Sequence, residues 1–250
     1  IYQLFVEDKD SSIYTPPALV RLMLDEALSW ERIDSLIERD EIILDPACGS
    51  AVYLVEAYKR LVLHWRMRNG WKRPKTADLK ALLARVHGVD LEPGAIKLAA
   101  FSLCLALCEA LEPEHIRKSV QLFPELEGKT LHLSCFFEAI ELGVIKKDVG
   151  VIVGNPPFKS KLSTPAASRA AAAFKTTLGS KLPDDQLAYL FLVYAKGLLA
   201  KRGVISMIQP AGFLYNLKPE AVRRHLFRDW DIREILDFVS VRGLFSKGDA

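Results

Sequence analysis

The sequence lacks several patterns that mark whole classes of protein. Within its 250 residues, no apolar run reaches the roughly 18 residues that a membrane-spanning helix needs, so no membrane association is expected. Neither Gly-x-Gly-x-x-Gly nor a glycine-rich loop ending in Gly-Lys-Ser/Thr occurs. A loop that cradles nucleotide phosphates is therefore not predicted.

The four cysteines also lack a metal-binding spacing. No Cys-x-x-Cys occurs, and Cys104 and Cys108 lie one helical turn apart, which favours core packing over metal ligation. We expect no metal, and unpaired thiols favour a cytoplasmic protein. Residue 1 is Ile and no charged-then-apolar leader follows it. We therefore expect no secretory signal, and the chain is expected to be a segment of a longer protein.

The hydrophobic pattern predicts alternating strands and helices. Strands are predicted at 41–45, 86–91, 130–134, 149–154, 203–209 and 232–239, and helices at 18–30, 52–68, 93–111, 184–199 and 219–228. This alternation is typical of an α/β fold with a doubly wound, mostly parallel sheet. Residues 159–183 interrupt it, with Ser, Thr, Gly and Pro at their flanks, and are predicted to form a mobile basic loop.

The apolar run 149–154 ends in the most informative segment, Asn155-Pro156-Pro157-Phe158. The two prolines hold the backbone extended and remove two N–H donors. What remains at the strand end is an amide side chain, carbonyl groups without competing donors and an aromatic face. This combination suits a planar group that carries an exocyclic NH2.

A second motif follows the first predicted strand, at residues 45–51. Ligands of open α/β sheets bind at this end of the strands, and small residues let the backbone approach them closely. Asp45 can hold a charged or hydroxylated group. Asp90, at the end of the next strand, can accept hydrogen bonds from both ribose hydroxyls, and Leu91 can cover an adenine ring. A ribose-bearing cofactor without a phosphate loop indicates S-adenosylmethionine (SAM).

Together these motifs resemble the amino-group DNA methyltransferases that modify the N6 of adenine. The resemblance is strongest to the subgroup found in type I and combined type II restriction-modification systems, and it runs from about residue 12 to the end. The matching segments, in chain order, are Tyr14 to Pro17, Asp45 to Ala51, Gly88 to Asp90 and Asn155 to Phe158. Residues 203–210 and 223–227 are similar to later, weaker motifs of the family.

The resemblance implies a Rossmann-like SAM-dependent methyltransferase domain at 41–250, preceded by a helical lead-in at 1–40 that carries the first SAM motif. The implied catalytic residues are Asn155, Pro156, Pro157 and Phe158. The implied cofactor-binding residues are Tyr14, Thr15, Pro16, Asp45, Pro46, Ala47, Gly49, Asp90, Leu91, Ser134 and Asn155.

The resemblance also implies partners. The substrate would be double-stranded DNA with a flipped-out adenine, and the basic stretch at 159–181 would favour such a polyanion. The basic stretch at 59–75, interleaved with Trp65 and Trp71, can equally be a solvated face. A target-recognition domain or subunit, a nuclease and the family's final antiparallel strand are expected to lie outside this chain.

Two departures from the family pattern are visible. Ala51 stands where the family has the last glycine of the loop, and a positive φ there would strain alanine by roughly 1 kcal/mol. The acidic residue that often contacts the cofactor adenine is missing after the third strand, where only Ser134 or backbone could replace it.

Two alternatives remain open at this point. Families that methylate protein glutamine or ribosomal RNA guanine share the Asn-Pro-Pro-Tyr/Phe motif, although their first loop usually differs. A degenerate domain that binds DNA or SAM without catalysis would also be compatible with both departures.

Overall fold

The computed structural model describes residues 15–118, 122–145, 148–158 and 161–240, in which five parallel strands form one sheet. The strands are β1 (Ile42–Asp45), β2 (Val86–Asp90), β3 (Leu131–Leu133), β4 (Val149–Gly154) and β5 (Leu199–Met207). Their spatial order is β3-β2-β1-β4-β5. The order therefore reverses between β1 and β4, and this switch point is where ligands of such sheets bind.

Helices cover both faces of this sheet. In chain order they are α1 (Pro17–Ala27), α2 (Trp30–Glu38), α3 (Val52–Arg68), α4 (Thr76–Leu83), α5 (Pro93–Glu109), α6 (Pro113–Lys118), α7 (Phe136–Glu141), α8 (Pro165–Leu178), α9 (Leu187–Lys196), α10 (Gly212–Tyr215) and α11 (Glu220–Asp229). A 3-10 turn, Pro183–Asp185, precedes α9. No helix among these described residues is long and apolar enough to cross a membrane.

Strand β4 lies at the centre of the packing, because all six of its residues are buried. On one face, Val151 and Val153 join a core built with α1, α3 and α5. On the other face, Ile152 joins a core built with α7, α8, α9 and α11. The doubly wound α/β prediction is confirmed, and in the described residues the sheet is entirely parallel.

The predicted mobile loop at 159–183 is wrong for most of its length, since α8 occupies 14 of these residues. Thr164 begins the helix by accepting a hydrogen bond at Oγ1 from the backbone N–H of Ala167 (3.1 Å). Small alanines and Phe174, which is 1% exposed, bury one face against the second core. The Ser, Thr, Gly and Pro residues at the flanks, which had indicated a loop, are the residues that begin and end an amphipathic helix.

The predicted strand at 232–239 is also wrong. These residues have no regular pairing and are mostly exposed, including Ile235 (49%) and Leu236 (45%). The sequence has the β-branched pattern of a strand, but no strand in the described part of the chain pairs with these residues.

Three predicted boundaries also shift. The single helix predicted at 18–30 is α1 and α2, because Ser29 caps a new helix through the N–H of Arg32 (3.3 Å). The helix predicted at 184–199 begins only at Leu187, after the 3-10 turn, and the fifth strand spans Leu199–Met207 instead of 203–209.

Candidate active site

The carboxyl ends of β1 and β4 bring two of the sequence motifs into contact. A Cβ placed on Gly154 would lie 2.7 Å from Oδ1 of Asp45. Any side chain at Gly154 would therefore displace the Asp45 carboxylate. Glycine immediately before Asn155 lets the end of β4 pack directly on the loop that follows β1.

The loop after β1 is also attached to the end of β2. The backbone N–H of Cys48 donates to the carbonyl of Val89 (2.9 Å), and that of Gly49 donates to Oδ2 of Asp90 (2.9 Å). The side chain of Cys48 fills the space beside Gly88, where a Cβ would lie 2.8 Å from its sulfur. The motifs at 45–51, 88–90 and 155–158 thus form one site at the switch point.

Ala51 adopts the left-handed conformation, with φ 67° and ψ 32°, at the start of α3. Its side chain is fully buried in the first core. The strain expected if this position needed a positive φ is therefore present. The loop nevertheless keeps its hydrogen bonds to β2.

Two carboxyl groups belong to this site, Asp45 in its buried part and Asp90 at a half-buried position. Asp45 is 1% exposed, and its burial, together with the nearby charge of Asp90, raises its pKa to about 8 despite the N–H of Ala47 that it accepts. Burial also raises the pKa of Asp90, against the opposing N–H groups of Glu92 and Gly49. No lysine or arginine in the described ranges forms an ion pair with either group. The site therefore suits a ligand that brings positive charge and hydroxyl groups.

Asn155 is held in one orientation by a residue from the start of the described chain. Its Nδ2 donates to Oγ1 of Thr15 (3.2 Å), and Thr15 is 4% exposed. Asn155 Oδ1 is then the amide atom that remains as an acceptor. Thr15 was predicted to bind the cofactor; the structure adds this contact with the motif at 155–158.

Tyr53, in the first turn of α3, was not predicted as part of the site. Its hydroxyl lies 3.3 Å from the sulfur of Met23. Burial raises the pKa of Tyr53, while a hydrogen bond with Thr15 opposes that shift. The sequence signal that could have indicated it is an aromatic hydroxyl directly after the loop at 45–51.

The other predicted residues line the same edge of the sheet. Pro46 and Pro156 are buried or nearly so, and Ala47, Gly49, Pro157, Phe158, Ser134 and Asp90 are more accessible or lie at the rim. Leu91 is 49% exposed directly after β2, and Leu133, at the end of the neighbouring β3, is 55% exposed. Pro16 precedes α1, whereas Tyr14 lies outside the described residues.

An acidic group does lie near the end of β3. The backbone N–H of Ser134 donates to the carbonyl of Asp90 (3.0 Å), and its Oγ lies 3.4 Å from Oε2 of Glu138. Glu138 was not predicted because it stands four residues further along, in the first turn of α7. Among the described residues, no cluster of three or more His, Cys, Asp or Glu could hold a metal ion.

Among known protein families, the Eco57I restriction-modification methylases match this chain over residues 84–245. A putative type II restriction enzyme and methyltransferase of Methanocaldococcus jannaschii is 31% identical over 126 residues, which are 48% of this chain and 10% of that protein. The adenine-specific methyltransferase PglX of Streptomyces coelicolor is 31% identical over 102 residues, which are 39% of this chain and 8% of that protein. The matched region is thus a small part of each relative.

A solved structure, of a complex of DrdV with DNA, has a similar fold. Its TM-score is 0.64 at 17% identity, and the match covers 88% of this chain and 22% of that one. At this identity the similarity concerns the fold alone.

The strain at Ala51 is testable by substitution with glycine. Ala51→Gly should relieve roughly 1–2 kcal/mol of left-handed strain. It should also lose about 0.8 kcal/mol of methyl burial and about 0.4–1 kcal/mol through the freer unfolded chain. The free energy of unfolding in urea should therefore change by less than about 1 kcal/mol.

The matched control is Ala57→Gly, at an equally buried position inside α3. No strain is relieved there, so this variant should be destabilised by roughly 2 kcal/mol. Equal losses in the two variants would contradict the strain at Ala51.

The raised pKa of the buried Asp45 carboxyl group is testable through the pH dependence of stability. Because its folded pKa of about 8 lies above the unfolded value of 3.8, the native state holds a proton that the unfolded state releases. Its contribution to stability is complete below pH 4 and is lost as the pH rises towards 8. Asp45→Asn cannot ionise and still accepts from Ala47. Relative to wild type, it should gain up to about 1.4 kcal/mol of unfolding free energy per pH unit between about pH 5 and 8.

Denaturation at several pH values measures this difference. Asp231→Asn serves as the control, because the side chain of Asp231 is 90% exposed. A difference between Asp45→Asn and wild type that does not vary with pH would show that the carboxyl group is charged in the native state.

Proposed function

The chain belongs to the Eco57I restriction-modification methylase family, and from this premise we propose that it transfers the methyl group of SAM to the N6 amine of adenine in DNA. The observation that carries the proposal is the contact of Gly154, immediately before Asn155, with the Asp45 carboxylate at the switch point of the sheet. That contact sets an amine-accepting strand end beside a pocket suited to a cofactor.

The residues of the pocket fit SAM. Asp45 and Asp90 are carboxyl groups without a cationic partner among the described residues, and the cofactor carries an ammonium group, a sulfonium group and ribose hydroxyls. Oδ2 of Asp90 accepts the N–H of Gly49 and Oδ1 that of Glu92, and the N–H of Leu91 also acts on this carboxyl group, which still leaves it able to accept from a ribose hydroxyl. Leu91 offers an exposed apolar surface for the adenine ring. When bound, SAM supplies an activated methyl group, so a strong general base is unnecessary.

The strand-end motif would bind and orient the target amine. The Oδ1 of Asn155 and the backbone carbonyl of Pro156 accept its two hydrogens, which shifts the nitrogen towards a tetrahedral, nucleophilic geometry. The hydrogen bond from Asn155 Nδ2 to Thr15 fixes the orientation of the amide before the substrate binds, so that Oδ1 is already placed to accept from the amine. Phe158 stacks on the base, which must leave the DNA helix because its amine is otherwise paired.

The intact geometry of the loop favours an active enzyme over a degenerate domain that only binds. Ala51 strains the loop, yet the bonds from Cys48 to Val89 and from Gly49 to Asp90 are formed. No observed feature favours glutamine or ribosomal RNA guanine as the substrate.

We also propose partners and location for the protein. The aligned regions span at most a tenth of the two curated relatives described above. Residues 41–250 would be the catalytic domain and residues 1–40 its lead-in, acting on double-stranded DNA. Sequence recognition and any nuclease activity would belong to other domains or subunits. The free cysteines support a cytoplasmic location.

Substitutions at Asn155 and Thr15 test the proposed mechanism. Asn155→Ala removes an acceptor that acts in the transition state, so kcat for adenine methylation should fall about 100-fold or more. Thr15→Val removes the hydroxyl that orients the amide, and kcat should fall roughly five- to tenfold. The measurement is the rate of methyl incorporation into DNA at saturating SAM and DNA.

Thr15→Ser keeps the hydroxyl and should retain most of the rate, while Asn69→Ala controls for loss of an exposed asparagine. A wild-type rate in Asn155→Ala would refute the mechanism. Equal rates in Thr15→Val and Thr15→Ser would refute the orienting role of the hydroxyl.

A further inference from the structure

A groove of about 480 Å³ lies between the end of α8 and the length of α11. Most of the charged side chains that line it are basic. The cations are Lys181, Lys218, Arg224 and Arg228, and the single carboxylate is that of Glu220. Ser and Thr hydroxyls also line it. These hydroxyls donate to the backbone carbonyls of Ala173 and Lys181, so the groove is distinguished by its excess of cationic side chains.

Three of the four cations that line the groove form ion pairs on the protein surface, among them Lys218 with Asp184. Lys181 has no ion-pair partner in the part of the chain that the structure describes. Arg224 pairs with Glu220 (2.6 Å) and Arg228 with Asp229 (2.7 Å), but these arginine side chains are 74% and 69% exposed. Exposed pairs of this kind are weak, so an incoming anion can replace the carboxylate at little cost.

The groove begins at the edge of the sheet that holds Asn155. Helix α9 leads directly into β5 and runs antiparallel to it, so the turn before α9 lies at the carboxyl edge of the strands. Lys218 hydrogen-bonds to Asp184 in that turn. At the other end of α9, Lys196 lies 3.9 Å from Asp229, the last residue of α11. The groove thus extends from the active-site edge down the outer side of the helical layer.

The chemistry of the groove fits one kind of occupant. A row of exposed cations binds phosphodiester oxygens, which recur every few ångströms along a nucleic acid strand. A duplex whose adenine reaches Asn155 must cross the same edge of the sheet. We propose that the α8–α11 groove binds the phosphate backbone of the DNA substrate. This inference rests on the proposed function and specifies where the polyanion lies.

The experiment compares two triple variants of the full protein. The groove variant is Lys181→Gln, Arg224→Gln and Arg228→Gln. The control variant is Lys72→Gln, Arg73→Gln and Lys59→Gln, in the basic stretch at 59–75. The control also removes two paired cations, since Arg73 pairs with Glu112 (2.5 Å) and Lys59 with Glu109 (2.9 Å). Its third substitution, at Lys72, removes a lysine without an ion pair in the described ranges.

Fluorescence anisotropy with a labelled DNA duplex gives the Kd as a function of salt. In the groove variant, the slope of log Kd against log salt should fall by about one for each phosphate that the groove no longer neutralises, and the Kd near 0.15 M salt should rise by roughly an order of magnitude. The KM for DNA should rise in parallel, whereas kcat at saturating DNA and the Kd for SAM should not change. The control variant should resemble wild type.

Three results would overturn the inference. One is a groove variant whose slope and Kd equal those of the control variant. The second is an equal weakening of DNA binding in both variants, which would reflect net charge alone. The third is weakened binding of RNA or an acidic protein with unchanged DNA binding. If the groove variant melts at a lower temperature than wild type, the same DNA-binding measurements are made on its three substitutions separately.

Failure of the proposed function would look different. Anisotropy measures DNA binding without methyl transfer, so it tests the groove even if no methyl reaches adenine. A protein that binds DNA through the groove but transfers no methyl would retain this inference and lose the proposed activity.

Discussion

The site depends on one close contact, the packing of Gly154 against the buried carboxyl group of Asp45. Because glycine has no side chain, β4 can end directly over the loop that follows β1. Asn155 then emerges beside the pocket formed by Asp45 and Asp90. The same burial, which raises the pKa of Asp45 to about 8, keeps a proton on its carboxyl group at neutral pH. A cationic ligand that stabilises the carboxylate would also draw that proton off.

Local signals made the sheet and its strand-end motifs predictable. The residues of β4 are apolar on both faces, as in a strand covered by helices on either side, and Asn155 to Phe158 stop it abruptly. The contact between Thr15 and Asn155 joins residues 140 positions apart, so no local pattern could indicate it. Residues 232–239 show the converse limit, because a β-branched pattern becomes a strand only where a neighbouring strand can pair with it.

The charges of the chain are divided between two surroundings. The candidate site holds the buried carboxyl group of Asp45 and the half-buried one of Asp90, and neither has an ion-paired cation among the described residues. The exposed groove beside α11 is instead lined by four cations and one carboxylate. A small cationic cofactor and a polyanionic substrate would each meet the complementary charge. Helix α8 links these regions, since Thr164 at its start contacts Cys135 beyond β3 and its last turn borders the groove.

The most direct measurement follows a labelled methyl group from SAM into a mixture of unmodified plasmid DNA, ribosomal RNA and protein. The full protein that carries this chain is added, and the products are digested and separated. The account predicts label in N6-methyladenine from the DNA, and its absence when the Asn155→Ala variant is used. Label in glutamine or guanine would contradict it, as would a protein that binds SAM and DNA yet transfers no methyl group.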